Sequence, residues 1–107
     1  DIRGFTRFSA DRAPEQAVAV LNRYLSLQAD LVARFRGDVD KFMGDAVFAH
    51  FTGDDMALDA IRCGLEIQRA VHDEGRAAGE DGLSVGVGIA TGEVLVGSIG
   101  SDDRLDY

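Results

Sequence analysis

Apolar and polar residues alternate along this chain with two periods, and the switches between them mark out the elements. Pro14-Glu15-Gln16 opens the first long element, with proline at a first helical position and an acid and an amide in the first turn. Ala17, Leu21, Tyr24, Leu31 and Phe35 then follow a 3.6-residue period, widened by Val18, Leu25 and Val32. Gly37 is placed to end that helix, and Arg34 and Arg36 in its last turn suit the helix dipole as a solvated helix end. From Asp38 to Phe51 the pattern becomes strand, tight turn, strand, with Met43-Gly44 as the expected turn. Thr52-Gly53-Asp54-Asp55 reads as a turn and N-cap, and a second helix is predicted from about Met56 to His72. Its stripe is Ala57, Ala60, Gly64, Ile67 and Val71. Cys63 on this helix is expected to be a buried thiol, and His72, near its end, a surface residue.

Glu74 to Gly82 is polar and glycine-rich, an expected loop. Leu83 to Ala90 alternates strictly, with Leu83, Val85, Val87 and Ile89 on one face. Ser84, Gly86, Gly88 and Ala90 form a bare face that another backbone or subunit can approach. Thr91-Gly92-Glu93 turns the chain into a strand from Val94 to Ile99. Gly100 to Asp103 turns it again before a strand beginning at Arg104. The order is strand, helix, strand, strand, helix, strand, strand, with most of the first strand falling before Asp1. It predicts an α+β fold of ferredoxin-like β-α-β-β-α-β type with a C-terminal hairpin, truncated at both ends.

Composition narrows the chemistry. The 107 residues allow one domain, and 46% hydrophobic with 28% charged residues is ordinary for a globular protein. No stretch reaches the length of a membrane span and no secretory pattern is present, so the segment is expected to be cytoplasmic, without direct membrane contact, even if its parent protein is membrane-anchored. One cysteine fits a reducing compartment. The net charge of −8 argues against a nucleic-acid surface, and any polyphosphate bound by so acidic a chain needs metal ions to reverse the local sign.

Two charges stand inside the apolar hairpin, Lys41 and Asp45, and each costs free energy there unless paired or used. Lys41 is the one lysine against ten arginines. Asp1, at the end of the first strand, and Asp45, at the start of the third, would be neighbours in a ferredoxin-like sheet. Two carboxylates so placed either raise one pKa or bind divalent cations, and hard oxygen ligands favour Mg²⁺ or Mn²⁺ over softer metals. Read without the metal, they are unrelated turn aspartates. If Met43-Gly44 is a two-residue loop, Phe42 and Asp45 pair across the strands and Lys41 points to the face opposite Asp45. A reaction that uses both then needs a dimer, with each site drawn from two subunits.

Asp1-Ile2-Arg3-Gly4-Phe5-Thr6, Lys41-Phe42-Met43-Gly44-Asp45-Ala46 and Gly88-Ile89-Ala90-Thr91-Gly92, with Gly97 and Gly100, resemble the class III adenylate/guanylate cyclase catalytic domain. The likeness runs over residues 1–107, so the chain reads as a partial domain of that type. The resemblance implies a head-to-tail homodimer with sites at the interface. Asp1 and Asp45 would be the aspartates for two Mg²⁺ or Mn²⁺ ions, and Ile2 would offer a backbone carbonyl to one of them. The Gly4, Phe5 and Thr6 backbone would cradle the triphosphate and Lys41 would read the purine. The implied reaction is attack of the ribose 3′-hydroxyl of ATP on the α-phosphorus, releasing pyrophosphate and 3′,5′-cyclic AMP.

Hydrogen-bond chemistry favours ATP, because adenine N1 accepts from a lysine whereas guanine N1 carries a hydrogen. The family's second base-reading residue, its ribose-orienting asparagine and its transition-state arginine fall beyond Tyr107. The segment alone is therefore expected to be inactive, and Asp106 is not the second base reader. The alternatives are a non-catalytic nucleotide-binding or regulatory module, a guanylate cyclase, and a diguanylate cyclase. The last lacks support, since Phe42-Met43-Gly44-Asp45 has a single glycine where a double-glycine turn is needed.

Overall fold

The computed structural model describes residues 1–80, 82–95, 99–101 and 104–106. In chain order the elements are β1 (Ile2–Arg3), α1 (Phe5–Ser9), α2 (Pro14–Arg34), β2 (Gly37–Met43), β3 (Ala46–Phe51), α3 (Met56–Ala78), β4 (Ser84–Val85), β5 (Ile99–Ser101) and β6 (Arg104–Asp106). Antiparallel pairs join β1 to β4, β2 to β3 and β5 to β6. The Ile2 N–H donates to the Asp45 carbonyl oxygen at 3.1 Å, which ties β1 to the turn that leads into β3. That link sets β1 beside the start of β3, as a ferredoxin-like α+β arrangement requires.

The core lies between the two long helices and one face of the strands. Tyr24, Leu25, Leu31 and Val32 of α2 meet Cys63, Ile67 and Val71 of α3, with Ile2, Leu83 and Val85 completing the cluster. The apolar stripe of α2 thus sits where its period puts it, except that Val18 is 54% exposed and Gln28 is buried. Gln28 keeps its amide satisfied by donating from Nε2 to the Tyr24 carbonyl one turn back, at 3.2 Å. Cys63 is buried as expected, and burial pushes its thiol pKa up. His72 is exposed, but it lies well inside α3 rather than at its end.

α3 runs six residues past the expected stop at His72. Gly75, which looks like a breaker, is a point of close approach: a Cβ there would lie 3.2 Å from the Glu80 carbonyl oxygen and 3.4 Å from the Tyr24 hydroxyl. The helix stops instead at Gly79, whose φ of 70° lets the Glu80 N–H return to the Gly75 carbonyl at 2.7 Å. Glu80 then accepts from the Tyr24 hydroxyl at 2.9 Å and from Arg23, closing a polar latch between the helices. Arg36 departs from expectation too. It sits beyond α2 at φ 68° and grips the buried Asp59 of α3 through one guanidinium edge, Nη2–Oδ1 at 2.6 Å and Nε–Oδ2 at 3.2 Å. It is a cross-link between elements, not a solvated helix end.

Within the strand expected over 83–90, Ser84–Val85 forms a ladder with β1, and the Gly86 N–H continues it to the Asp1 carbonyl. Its apolar face keeps the expected direction. Leu83 and Val85 are buried, and Val87 and Ile89 lie over Gly64 of α3, whose added Cβ would touch Val87 Cγ1 at 3.1 Å. On the other face Gly86 is not bare, since the Arg3 guanidinium lies where its Cβ would be; Gly88 is open. The expected strand over Val94–Ile99 is not formed at Val94 and Leu95, and its residues 96–98 lie outside the described residues. The following hairpin pairs Ile99 with Asp106 and Ser101 with Arg104, so Gly100 and Ser101 belong to a strand rather than a turn. Asp102, Asp103 and Tyr107 are outside the described residues. Among the described residues no helix is long and apolar enough to cross a membrane.

Candidate active site

The local sequence of the β2–β3 hairpin decides where its charges go. The register closes at Met43↔Ala46, so the loop is Gly44-Asp45 and not Met43-Gly44. Gly44 has φ 58°, the left-handed value that two-residue hairpin turns require at their first central position, and Asp45 follows it in the turn. Phe42 therefore pairs with Val47, and the expected Phe42–Asp45 pair does not exist. The opposite-face argument for Lys41 and Asp45 loses that support. Asp45 is at the tip of the hairpin rather than at the start of β3.

The hairpin tip is nonetheless brought to Asp1. The Ile2 N–H to Asp45 carbonyl bond joins them, and the Asp1 main chain is held by Gly86, whose N–H donates to the Asp1 carbonyl at 2.8 Å. Ile2 is 3% exposed and faces the core, which leaves Asp1 and Arg3 on the other side of β1. Arg3 was given no role by its sequence context. Its Nε stands 3.8 Å from Asp1 Oδ2, adding a solvent-exposed cation beside the candidate carboxylates.

Gly4, Phe5 and Thr6 continue from this point. The backbone expected to cradle a triphosphate opens α1, a five-residue helix whose Phe5 and Phe8 rings stack at 6.2 Å, an i,i+3 signal present in the sequence. Gly4 caps it at φ 80°, and the Phe8 N–H closes onto the Gly4 carbonyl at 2.9 Å. The first turn of a helix leaves its N–H groups without intrahelical acceptors, so Phe5 and Thr6 present donors of the kind an anion uses. Lys41 is half-buried on the hairpin face that also holds Phe48, its Nζ 5.6 Å from the ring centroid. It stands opposite Phe48 within the ladder and not in the Gly44-Asp45 turn.

The donor set suits a hard divalent cation. Asp1 and Asp45 are oxygen ligands, and Mg²⁺ sites commonly take one or two carboxylates and complete their shell with substrate phosphates. Among the described residues no three His, Cys, Asp or Glu side chains gather into a self-sufficient metal cage. A surface groove of about 520 Å³ between α2 and α3, lined by Asn22, Arg23, Asp30 and Glu74 among others, contains none of these candidate residues.

A family described as the adenylate and guanylate cyclase catalytic domain matches residues 1–107. The chain belongs to that family. It is 37% identical over 114 residues to adenylate cyclase 1 of Rhizobium meliloti, covering 100% of this chain and 17% of that protein. The solved structure of the guanylyl cyclase Cya2 is 41% identical with a TM-score of 0.88, over 100% of this chain and 58% of that one. The adenylyl cyclase CyaB from P. aeruginosa is 32% identical with the same TM-score of 0.88, over 100% of this chain and 60% of that one. The chain thus spans under a fifth of the Rhizobium protein and somewhat over half of the two solved chains.

Proposed function

We propose that this cyclase-family chain supplies the metal- and phosphate-handling residues of an adenylate cyclase, which converts ATP to 3′,5′-cyclic AMP and pyrophosphate in cyclic-nucleotide signalling. The observation that carries the reading is the Ile2 N–H to Asp45 carbonyl bond at 3.1 Å, which unites the two aspartate-bearing motifs at one end of the strands. Asp1 and Asp45, with the Ile2 carbonyl, would hold two Mg²⁺ or Mn²⁺ ions. When bound, such ions supply Lewis-acid activation of the ribose hydroxyl and neutralise charge on the departing diphosphate. The N–H groups that open α1 orient the phosphate chain, and Gly4 allows the backbone to turn beneath it. Arg3 adds a positive charge on the same side of β1.

Lys41 donates to adenine N1, which supports ATP over GTP. Of the similar proteins above, two are named adenylate or adenylyl cyclases and one a guanylyl cyclase, so the lysine is what tips the choice. No side chain is asked to act as nucleophile: the 3′-oxygen attacks the α-phosphorus and the bond to the β-phosphate oxygen breaks. The residues position and stabilise.

The likeness to the family supports a homodimer in which Asp1 and Asp45 of one copy work with Lys41 of the other. Met43 and Phe48 flank Lys41 on the hairpin and are 47% and 46% exposed, apolar surface that a second copy can cover. Complementation in the intact protein tests this. Asp45→Ala and Lys41→Ala each leave a nearly inactive homodimer, but mixing them forms heterodimers with one site free of both lesions. Activity should return to about half of the wild-type rate per heterodimer if the sites act independently. A mixture that stays dead, with heterodimers shown to form, places both residues in one half-site and overturns the two-copy arrangement.

A further inference from the structure

The direction in which Lys41 points is set by an irregularity in β2. Val39 pairs with Ala49, and both pack toward the core. Strict alternation would return Lys41, two residues on, to that same face, opposite Val47. Instead the register steps by one between Val39 and Lys41, so Lys41 pairs with Phe48 and falls on the face turned away from the helices. The inserted residue is Asp40. The same step fixes the turn. Without it Phe42 would oppose Ala46 across a three-residue loop; with it Met43 opposes Ala46 and Gly44-Asp45 closes the hairpin in two.

One side-chain pair sits on this bulge. The Asp40 carboxylate is 8% exposed, and a charge that covered needs a partner. It has one: His50 Nδ1 at 2.6 Å, reached across the strands from β3. The other ring nitrogen, Nε2, lies 3.6 Å from Asp38 Oδ2, so the imidazole is held between two β2 carboxylates, one just before the bulge and one at it. The two carboxylates address opposite edges of the ring, which makes a clamp between strands and not a set of ligands converging on one ion.

We propose that Asp40 and His50 are a positioning pair: they lock the bulge and thereby hold Lys41 on the open face, where the nucleotide base is read. The proposal rests on the base-reading role of Lys41, and its two consequences can be separated. One concerns strand register, the other substrate choice. Loss of His50 leaves Asp40 without its partner at 8% exposure, so the carboxylate moves to water and the bulge loses its anchor.

The test uses the intact protein with His50→Ala and His50→Asn, the second keeping a short amide donor toward Asp40. Steady-state kinetics with ATP and GTP are measured in wild-type and Lys41→Ala backgrounds, and cross-strand NOEs report the register. His50→Ala should raise KM for ATP and reduce the ATP-over-GTP preference about tenfold, the scale of a modest misplacement of a substrate contact. His50→Asn should recover most of this. In the Lys41→Ala background the same change should have no further effect on preference. NOEs between Lys41 and Phe48 should weaken in His50→Ala in favour of Lys41 and Val47. An unchanged preference in His50→Ala, where Lys41→Ala does lower it, overturns the proposal, as do fully retained Lys41–Phe48 NOEs. If Lys41→Ala itself leaves the preference untouched, the base-reading role fails, and the NOEs alone then decide for or against the clamp.

Discussion

Gly4→Ala separates two costs that the structure stacks on a single residue at the start of the candidate phosphate cradle. Gly4 has φ 80°, where an L side chain is strained by about 1 kcal/mol. Its added Cβ would also lie 2.5 Å from the Gly82 carbonyl oxygen, a main-chain atom that cannot swing aside. Overpacking of this kind costs about 1–3 kcal/mol, so the whole change should destabilise by about 2–4 kcal/mol. Gly53 provides the control. It has φ 93° with nothing within 4 Å of its added Cβ, and so carries the conformational cost alone. Both substitutions stiffen the unfolded chain equally, and that contribution cancels in the difference. Urea denaturation of Gly4→Ala and Gly53→Ala should therefore show a gap of about 1–3 kcal/mol at unchanged m-value. In the intact protein Gly4→Ala should also raise KM for ATP, because α1 and its free N–H groups start from Gly4. Equal destabilisation of the two variants would refute the close approach of Gly4 to Gly82.

Two further predictions concern the polar links between helices. The Tyr24 hydroxyl pKa is pushed up to about 12, by burial first and then by its hydrogen bond to the Glu80 carboxylate. An unfolded tyrosine titrates near 10, so this group contributes stability that is fully present below about pH 10 and lost as pH rises through 12, about 2–3 kcal/mol in all. Denaturation midpoints between pH 9 and pH 11.5 should fall more steeply for the wild type than for Tyr24→Phe, and parallel slopes would contradict the assignment. Arg36→Ala should destabilise by about 1–3 kcal/mol, discounted because the arginine side chain is 70% exposed, by leaving the Asp59 carboxylate buried without its partner. Pairing it with Asp59→Asn should recover part of the loss in the same denaturation assay.

What was legible in the sequence was whatever a local pattern could carry. Pro14 and the spacing from Ala17 to Val32 placed α2, and the paired apolar runs around Gly44 placed the hairpin. The alternation from Leu83 chose the correct inner face. The features that escaped are set by contacts between distant residues. Gly75 looks like a helix breaker until Tyr24 and Glu80 are seen to occupy the space a side chain would take. Arg36 looks like a dipole-matched surface residue until Asp59 arrives from another helix. The Asp40 bulge was missed because Lys41, which strict alternation puts on the core face with Val39, was read as a functional charge and not as the mark of a register step. It moved the turn by one residue and removed the parity argument that had set Lys41 against Asp45. The proximity of Asp1 to Asp45 was anticipated from strand order, and it is met by a main-chain bond at Ile2. Arg3 was missed because its relevance comes only from lying across Gly86, next to Asp1.

The most direct test of the functional reading is product formation by the intact protein supplied with ATP and either Mn²⁺ or Mg²⁺, compared with its Asp45→Asn variant. Products are separated by liquid chromatography and identified by mass. The account predicts equal amounts of 3′,5′-cyclic AMP and pyrophosphate from the wild type, no product when the metal is chelated, and loss of turnover in Asp45→Asn with an unchanged melting temperature. Cyclic AMP formed at the wild-type rate by Asp45→Asn, or in the presence of chelator, would contradict it.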